Sequence, residues 1–418
     1  MTSMLRAEVL SVGTELLMGQ IANTNAQYIS RCLPEVGVGV FYHSVVGDNP
    51  ARLQDALLLA MSRADVILTT GGLGPTQDDL TKETIGNALG LTMELHPESE
   101  AAIRGYFQRT GREMADNNLR QAYFPKGSII MDNEMGTAPG CIIQTSIDGE
   151  EKTIILLPGP PKELIPMFKR HVMPFFAKMQ DTPLYSQFLR IVGVGESMVE
   201  QKLMALVEGQ TNPTLATYAK DGVVTIRVTA HDEGEIPAKL LVAEMCNKIC
   251  AILGHNVYAT EDKEIEEIVQ GLLRDKGLTF ACAESCTGGM LAARMTAIPG
   301  ASDIFKCGMV TYQEQSKTIL VGVREETLKE FGAVSYETAL EMVLGCIQVS
   351  NADVAVSITG YAGPAFADEP VGRVYIGVCA PGVQTVREFT FTGNRDRIRT
   401  LSVINALDLV RRALLQIE

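Results

Sequence analysis

Short apolar runs alternate with amphipathic stretches along the first part of the chain. The apolar runs predict strands over residues 7–12, 38–46, 66–70, 141–143 and 153–156. Apolar positions spaced as on one helix face predict helices over 25–33, 52–62 and 80–89. Strands and helices that alternate across short connections form parallel β-α-β units. The pattern therefore predicts a doubly wound α/β domain over residues 1–176.

A different pattern follows over residues 181–260. It predicts strands over 187–194, 214–219, 223–230 and 256–259, with helices over 197–207 and 237–253. The dipeptide Asp221-Gly222 between two of these strands is typical of a tight hairpin turn. The β-α-β-β-α-β order predicts a small α+β domain. Gly193-Val194-Gly195 resembles part of a phosphate loop, but no further Gly or Lys follows, so a tight turn that enters a helix is favoured.

The last part of the chain, residues 261–418, again mixes the two patterns. Strands are predicted over 278–282, 305–312, 354–358 and 374–378. Helices are predicted over 264–276, 290–295, 339–348 and 395–415. These elements indicate a second layered domain of α/β or α+β type. The whole chain is thus predicted to be a multidomain protein of α/β and α+β class.

Length and charge narrow the function classes. A chain of 418 residues is too long for one hydrophobic core and is expected to divide into about two to four domains. The formal net charge of −14 argues against a general nucleic-acid binder, because such proteins need basic surface to displace counterions. Small diffusible substrates are therefore the expected partners, with no direct contact to nucleic acid.

Localisation and metal chemistry are also constrained. No run of about 18 apolar residues occurs, and residues 1–10 lack the apolar core of a signal peptide, so we expect a cytoplasmic protein without a membrane partner. The nine cysteines are scattered through apolar segments, as expected of thiols in a reducing compartment. The five histidines are isolated from one another, so neither a zinc site nor a histidine-based catalytic site is predicted.

Glycine-rich and polar loops follow the predicted strands of the first domain. Gly13-Thr14-Glu15 follows the first strand, and residues 71–79 follow the third. The carboxyl ends of parallel strands meet at one edge of a sheet, where such folds bind ligands. Glycines permit close backbone approach, a helix start offers N–H groups to phosphate, and Asp78 and Asp79 are candidate ligands of a divalent cation. A purely structural Gly-Pro turn with aspartates at a helix start stays open.

One stretch of the third domain has the features of a nucleophile's turn. Residues 283–289, Ala-Glu-Ser-Cys-Thr-Gly-Gly, lie between a predicted strand and a predicted helix. We expect the Ser285 hydroxyl to face solvent, and the N–H groups of Thr287, Gly288 and Gly289 to be free for an oxyanion or a phosphate. The alternative is that Ser285 or Thr287 only caps the helix.

A serine nucleophile needs a base, and no histidine lies between residues 261 and 418. Lys317 is the candidate, because it follows the predicted strand 305–312 and can return to the same sheet edge as Ser285. Burial or a nearby positive charge would lower its pKa enough for it to act as a base. Tyr312 is a candidate to orient the lysine or relay a proton. On its spacing alone, Lys317 would more often be a solvated surface lysine.

Motifs in the first and last domains resemble the CinA (competence/damage-inducible) family. In the first domain they are residues 13–15, 71–79, 136–140 and 158–163. In the last domain they are Tyr312 with Lys317 and residues 284–289, 332–335, 359–364, 370–372 and 393–399. The resemblance implies a first domain similar to molybdopterin-binding folds, a middle domain similar to KH modules, and a last domain that deamidates nicotinamide mononucleotide. The middle domain lacks a clamping loop and a basic groove, so RNA binding does not follow.

The resemblance also implies roles for individual residues. Ser285 and Lys317 match the family's catalytic serine and lysine, with Tyr312 beside them and no cofactor. Substrate contacts in the last domain are expected from Thr287, Gly288, Gly289, Gly360, Arg395 and Arg399. The first domain is expected to hydrolyse ADP-ribose at its pyrophosphate, with a divalent metal ion on Asp79 and Asp78. Its expected substrate contacts are Gly13, Glu15, Gly71, Gly72, Gly74, Thr76, Gly136, Thr137 and Gly159.

Two features depart from the family pattern. Glu314 stands where the family usually has Asn, and an added carboxylate near an anionic nucleotide weakens binding unless it points away. Only Ala365–Glu369 separates Pro364 from Pro370, where the family usually has a longer glycine-rich loop.

Alternative functions are a molybdopterin or nucleotide carrier without hydrolysis and an accessory of DNA uptake. We also expect a homodimer, with the middle domain as a spacer or dimerisation unit.

Overall fold

The structure of the protein, a computed structural model, describes residues 5–147, 149–179, 184–364 and 370–416. The chain divides into two compact units, Met1–Leu184 and Tyr185–Glu418. The short loop 365–369, at which the sequence departs from the family pattern, lies outside the described residues.

The first unit alternates strands and helices. Its strands are β1 (Leu5–Val12), β2 (Val38–Val46), β3 (Val66–Thr70), β4 (Met93–Leu95), β5 (Tyr123–Pro125), β6 (Ile129–Met131), β7 (Gly140–Ile147) and β8 (Glu150–Leu157). Its helices are α1 (Thr14–Leu17), α2 (Thr24–Cys32), α3 (Pro50–Arg63), α4 (Thr81–Ala88), α5 (Pro97–Thr110), α6 (Pro161–Met167) and α7 (Met173–Ala177). Turns of 3₁₀ type cover Leu33–Val36 and Asp116–Ala122, and a π-helical turn covers Phe168–Val172.

Six strands of the described part of this unit form one sheet, in the order β2-β1-β3-β8-β7-β6. The first four are parallel, and β7 and β6 are added antiparallel. Alternate residues of the central strands face opposite sides: Val9 and Leu68 belong to one apolar cluster, and Leu10 and Ile67 to another. Both faces are therefore buried, as in doubly wound folds, and the carboxyl ends of the parallel strands share one edge.

The second unit begins with the small domain predicted from the middle of the sequence. Its elements are β9 (Tyr185–Val192), α8 (Glu196–Val207), β10 (Thr214–Lys220), β11 (Val223–Ala230), α9 (Ala238–Leu253) and β12 (Val257–Ala259). The strands form an antiparallel sheet in the order β10-β11-β9-β12. Asp221 and Gly222 have φ of 50° and 84°, as a tight hairpin turn requires. Gly195 is the N-cap of α8, so residues 193–195 form a turn that enters a helix.

The rest of the second unit is built on a mixed sheet. Its strands are β13 (Phe280–Glu284), β14 (Phe305–Val310), β15 (Val354–Gly360), β16 (Arg373–Ala380) and β17 (Val383–Thr390). Its helices are α10 (Ile265–Lys276), α11 (Met290–Thr296), α12 (Glu314–Val321), α13 (Glu325–Phe331), α14 (Tyr336–Ser350) and α15 (Arg395–Leu415). In the sheet order β14-β13-β15-β16-β17, the first three strands are parallel and the other two are antiparallel. The carboxyl ends of β13, β14 and β15 therefore lie side by side.

The predicted fold class is confirmed, and the differences lie in particular elements. The strand predicted over 305–312 ends at Val310, and Thr311 and Tyr312 lie in the turn before α12. The prediction omitted α1, α5, α6, α7, β4, β5 and β6 in the first unit, and α12, α13 and β17 in the second. Apart from α5, none of these elements is longer than eight residues, and the edge strand β17 mixes polar and apolar residues on both faces. Within the residues that the structure describes, no helix combines the length and the apolar character needed to cross a membrane.

Candidate active site

Ser285 lies at a sharp turn between β13 and α11. β13 is buried along its whole length between β14 and β15, and α11 begins at Met290. The Ser285 N–H donates to the carbonyl of Ile358 on β15 at 2.8 Å, which anchors the turn to the neighbouring strand. Ser285 is only 8% exposed, so the residue is more buried than the prediction of a solvent-facing hydroxyl implies. The reason is that a side chain from α12 packs against it.

That side chain is Lys317. Its Nζ donates to Ser285 Oγ at 3.0 Å and to the carbonyl of Thr311 at 2.8 Å. Lys317 is 1% exposed, so it is not the solvated surface lysine that its spacing alone would favour. Burial lowers its pKa from 10.5 to about 8, because the charged ammonium loses its hydration. The hydroxyl and the amine thus have the contact of a nucleophile and its base, and the lowered pKa of Lys317 makes the neutral amine easier to reach near neutral pH.

Cys286 is the other potential nucleophile of this turn. The thiol is buried, and burial raises its pKa to about 11. Such a thiol is protonated near neutral pH, and only the thiolate is strongly nucleophilic. The geometry therefore favours Ser285 over its neighbour.

The buried carboxylate of Glu284 fills the start of α11. Its two oxygens accept three backbone N–H groups, those of Gly289 (3.1 Å), Leu291 (3.0 Å) and Ala292 (2.8 Å). The Gly288 N–H donates to the Ser285 carbonyl at 3.1 Å. The expectation that Gly288 and Gly289 offer free N–H groups is therefore wrong, because the chain's own oxygens occupy them. A carboxylate is favourable at a helix start, so Glu284 takes the place expected for an oxyanion or a substrate phosphate.

Thr287 and Arg399 carry unsatisfied polar atoms beside this turn. Arg399 Nη2 donates to the Thr287 carbonyl at 2.8 Å, which fixes the guanidinium next to the Ser285 turn. Arg399 Nε and Thr287 Oγ1 are buried and have no hydrogen-bond partner among the described residues. Buried polar atoms without partners cost free energy, so each one needs an explanation. A ligand that supplies the missing partners is one such explanation.

Arg395 is engaged with the chain itself. Its Nη2 donates to the Tyr312 hydroxyl at 2.8 Å, and its Nη1 donates to the Gly363 carbonyl. Tyr312 is 55% exposed, and its hydroxyl contacts Arg395 rather than Lys317. The contacts tie the start of α15 to the turn before α12. Arg399, with its unsatisfied Nε, is thus better placed than Arg395 to bind an anionic group.

Gly360 and Glu314 lie at the borders of the site. A Cβ on Gly360 would lie 2.7 Å from a methyl carbon of Val374 and 2.8 Å from the Arg373 carbonyl oxygen, so packing on β16 requires glycine. Glu314 is exposed at the first residue of α12. Burial has the largest effect on the pKa of Lys317 and lowers it, whereas the Glu314 charge raises it by a smaller amount. The unusual carboxylate therefore leaves burial as the dominant influence on the lysine.

A cavity of about 590 Å³ opens at the carboxyl edge of the parallel strands in the first unit. Most of the predicted site residues of this domain line it, namely Gly13, Glu15, Gly71, Gly72, Gly74, Thr76, Asp78, Asp79, Thr137 and Gly159. Gly136 is outside the lining, and a Cβ there would lie 2.4 Å from the Glu163 carboxyl carbon. Glycine at position 136 therefore makes room for the Glu163 side chain, not for a ligand.

The glycines of the loop 71–79 are also required by the chain. Gly71 has φ of 98°, and a Cβ on it would lie 2.3 Å from the Val12 carbonyl oxygen. A Cβ on Gly74 would lie 2.3 Å from Asp79 Oδ2. That carboxylate oxygen accepts the Thr76 N–H at 3.0 Å and also the Thr76 hydroxyl. The loop thus packs closely against the end of β1 and against its own Asp79 side chain, and glycine is needed for that packing before any contact with a ligand.

The cavity wall is acidic. Its described residues include five carboxylates, those of Glu15, Asp48, Asp78, Asp79 and Glu163, and no Lys, Arg or His. Among the described residues, no three His, Cys, Asp or Glu side chains are grouped so as to hold a metal ion by themselves. A phosphate would therefore meet repulsion here unless a cation accompanied it. A hard cation shared between one or two carboxylates and phosphate oxygens suits this set of groups.

The sequence reasoning assigned no role to Asn25, Gln121 or Glu284. Asn25 on α2 and Gln121 in the turn 116–122 both line the cavity. The polar run Asn23-Thr24-Asn25 at a helix start is a signal that could have indicated Asn25. Glu284 also has a signal, since a charged residue that ends a wholly apolar strand needs partners. The sequence around Gln121 has neither a hydrophobic periodicity nor a glycine that would indicate a binding loop.

Comparisons with known proteins cover almost the whole chain. Family models match the molybdopterin binding domain over residues 8–178, the KH domain of damage-inducible protein CinA over 186–259, and the CinA C-terminal domain over 262–414. A relative from Acetivibrio thermocellus, described as competence-damage inducible, is 47% identical over 99% of this chain and 100% of its own length. A CinA-like protein from Dictyoglomus turgidum is 44% identical, over 99% of this chain and 100% of its own.

A solved structure also matches. It is a protein of the competence-damaged protein (CinA) superfamily from Klebsiella pneumoniae, 31% identical, and the match covers 37% of this chain and 99% of that one, with a TM-score of 0.36. The family models and the fold define a class of proteins in which a molybdopterin-binding-like domain, a KH domain and a CinA-type domain follow one another. The chain belongs to the CinA family.

Proposed function

We propose that the last domain is an amidase that converts nicotinamide mononucleotide and water into nicotinate mononucleotide and ammonia, without a metal ion. The observation that carries the proposal is the buried contact of 3.0 Å between Lys317 Nζ and Ser285 Oγ. The family motifs around these two residues support this substrate. Serine and a neutral amine together supply the nucleophile and the base that hydrolysis of a carboxamide requires.

Lys317 is placed to take the proton of Ser285. With a pKa of about 8, a useful fraction of its amine is neutral near neutral pH. The Ser285 oxygen bonds to the carboxamide carbon as its proton passes to Nζ. The Thr311 carbonyl, 2.8 Å from Nζ, holds the amine in position during this transfer.

The same amine serves the remaining steps. Collapse of the tetrahedral adduct breaks the carbon–nitrogen bond, and Lys317 returns the proton to the nitrogen, which leaves as ammonia. A water molecule then loses a proton to Lys317 and attacks the acyl ester, and Ser285 regains its hydrogen as the acid departs. The buried hydroxyl of Thr287, which has no partner among the described residues, is the proposed donor to the developing oxyanion. Loss of one such donor typically lowers the rate ~10²–10³-fold.

Arg399 is the proposed partner of the substrate phosphate. Its Nη2 is fixed by the Thr287 carbonyl, and its buried Nε lacks a partner among the described residues. A guanidinium matches phosphate oxygens in two-point geometry. Glu284 already occupies the start of α11, so we assign the phosphate to Arg399 rather than to that helix start.

Product analysis tests the amidase proposal. The full chain is incubated with nicotinamide mononucleotide, and the products are separated and then identified and quantified by mass spectrometry. We expect nicotinate mononucleotide and ammonia in equal amounts. Nicotinamide with ribose 5-phosphate would mean that the glycosidic bond is cut instead, and would contradict the proposal.

We also propose that the first domain hydrolyses ADP-ribose at its pyrophosphate with the help of a divalent cation. The observation that favours it is a cavity lined by carboxylates and by no described Lys, Arg or His, which accepts a diphosphate only together with a cation. Asp78 and Asp79 would hold the cation, which when bound would stabilise the charge of the diphosphate as a Lewis acid. The other residues that line the cavity would position the substrate.

Release of AMP tests this second proposal. We expect AMP from ADP-ribose when a divalent metal ion is present, and none after chelation or in Asp78→Asn. Asp79→Ala should also be inactive, but Asp79 holds Thr76 as well, so Asp78→Asn is the cleaner variant. Tight binding of a pterin or nucleotide without any AMP would favour a carrier instead.

A further inference from the structure

A short turn holds the loop 71–79, which is one of the loops that line the first-domain cavity. Three side chains of the turn Asp116–Ala122 donate to backbone carbonyls of this loop: Asn117 to Pro75 (3.0 Å), Arg120 to Thr76 (3.2 Å) and Gln121 to Leu73 (3.3 Å). Lys82 holds the turn 116–122 in place. This residue is buried, and its Nζ donates to the Gln121 carbonyl at 2.7 Å. The position of the loop therefore depends on this turn.

Gln121 has a second property that suggests contact with a ligand. It is 1% exposed and lines the cavity. Its Nε2 is used by the Leu73 carbonyl, but its Oε1 is buried and has no partner among the described residues. The orientation of the amide is determined by that bond, because a flipped amide would set Oε1 against the carbonyl oxygen of Leu73. Gln121, a residue that lines the cavity, thus has a fixed acceptor that still needs a donor.

Asn25 repeats the arrangement on another loop of the same cavity. Its Nδ2 donates to the Gly159 carbonyl at 2.6 Å, and its Oδ1 is buried without a partner among the described residues. Gly159 follows β8, whereas Leu73 follows β3, so the two carboxamides hold different loops. Each one has a buried amide oxygen without a donor among the described residues, and both residues line the cavity.

We propose that Gln121 and Asn25 determine specificity in the first domain. Each holds a cavity loop through its amide N–H and accepts, through its amide oxygen, a hydrogen bond from an uncharged donor of the bound nucleotide. Phosphate oxygens cannot fill this role, because they are acceptors themselves. The donors are therefore sugar hydroxyls or the exocyclic amino group of the base. The inference rests on the proposed nucleotide hydrolysis by this domain.

The test measures binding rather than turnover. The full chain is titrated calorimetrically, with Mg²⁺ present, with the α,β-methylene analogue of ADP-ribose, which resists hydrolysis. Versions of this analogue that lack either the adenine amino group or one ribose hydroxyl are titrated in the same way. A buried acceptor that loses its donor should weaken binding of at least one version by about tenfold or more.

The variants Gln121→Met and Asn25→Leu show which residue reads which group. Consider a ligand group whose deletion weakens binding to the parent protein. One of the two variants should bind the complete analogue and the analogue without that group with the same affinity, within about twofold. The reason is that this variant already lacks the acceptor for that group. Asn117→Ala is the matched control, because Asn117 holds the same loop but is exposed and lies outside the cavity lining. It should weaken all ligands by one common factor. A purely structural role of Gln121 would give that same uniform loss.

Four results would overturn the inference. If no deleted group matters to the parent protein, or if both variants keep the full discrimination, the two amides do not select the ligand. If Mg²⁺ binds without nucleotide and this binding is lost in both variants, the amide oxygens hold the cation instead. In these cases AMP release from ADP-ribose shows whether the proposed hydrolysis still stands. Failure of the parent protein both to bind the analogue and to release AMP would overturn the hydrolysis and the inference together.

Discussion

Lys317 Nζ and Ser285 Oγ meet at 3.0 Å although the two residues are 32 positions apart in the sequence. Ser285 follows β13, and Lys317 is carried by α12, which follows the neighbouring strand β14. Because these strands are adjacent and parallel, their carboxyl ends lie side by side. The sheet therefore brings the proposed nucleophile and the proposed base together, and burial lowers the pKa of the lysine toward neutrality.

Removal of either member of the pair should abolish amidase activity. We expect Ser285→Ala and Lys317→Met to lower kcat by about 10³-fold or more, because groups that act as a unit fail together. Initial rates of ammonia release measure the effect. Cys286→Ala is the control, since its thiol is protonated and should not be needed. An active Ser285→Ala with an inactive Cys286→Ala would make the thiol the nucleophile.

The rate should rise with pH. The neutral amine is the active form, and its pKa is lowered to about 8, so kcat/KM should increase as the pH passes through about 8 and then level off. A pH profile of the parent enzyme tests this expectation. Lys317→Arg is the matched variant, because a guanidinium stays charged and should give no rise at any pH. A parent rate that is flat from pH 6 to 9 would argue against lysine as the base.

Arg399 should matter to the substrate only when the phosphate is present. We expect Arg399→Gln to raise KM for nicotinamide mononucleotide by about 10-fold to 100-fold, as for loss of a charge-assisted contact. The slow reaction with nicotinamide riboside, which lacks the phosphate, should change little. Arg397→Gln serves as the control on the same helix turn. Equal losses with both substrates would mean that Arg399 only supports the Thr287 backbone.

Glu284 should contribute to stability through the start of α11. Glu284→Ala leaves three buried N–H groups without their acceptor and should lower the free energy of unfolding by about 3 kcal/mol. Urea unfolding of the full chain measures the loss. Glu330→Ala, at an exposed position of α13, should change stability by less than about 0.5 kcal/mol. If the two variants are equally stable, the carboxylate does not cap the helix.

The two proposed activities should respond differently to chelation. EDTA should abolish release of AMP from ADP-ribose, because the acidic cavity needs a cation before it accepts a diphosphate. Release of ammonia from nicotinamide mononucleotide in the same sample should stay unchanged, since the Ser285 and Lys317 pair needs none. Loss of both activities on chelation, with the fold intact by circular dichroism, would show that the amidase also uses a metal ion.

Sequence reasoning was most successful where the signal is local. The turn at Ser285 could be predicted because an apolar strand, a turn and a helix follow one another within a few residues. The pairing with Lys317 is not local. Its position after a predicted strand makes this lysine a candidate, and the family resemblance favours it over a solvated surface lysine. Its burial depends on how α12 packs, and no periodicity in that short helix reveals it.

The errors have a common physical origin. Free N–H groups were expected at Gly288 and Gly289, because helix starts usually leave such groups unpaired. The Glu284 carboxylate satisfies the Gly289 group, and the turn around Ser285 satisfies the Gly288 group. Which side chain reaches a helix start is decided by tertiary packing. Gln121 was missed for the same reason, since its two contacts join segments that are distant in sequence.

The most direct measurement is ammonia release from nicotinamide mononucleotide by the purified, metal-stripped protein, alongside Ser285→Ala and Lys317→Ala. Circular dichroism shows whether each variant is still folded, and hydrolysis of ADP-ribose is measured after metal is restored. We expect ammonia from the parent protein, none above background from either variant, and AMP from all three. No ammonia from a parent protein that still releases AMP, or undiminished ammonia from either variant, would contradict the Ser285–Lys317 amidase.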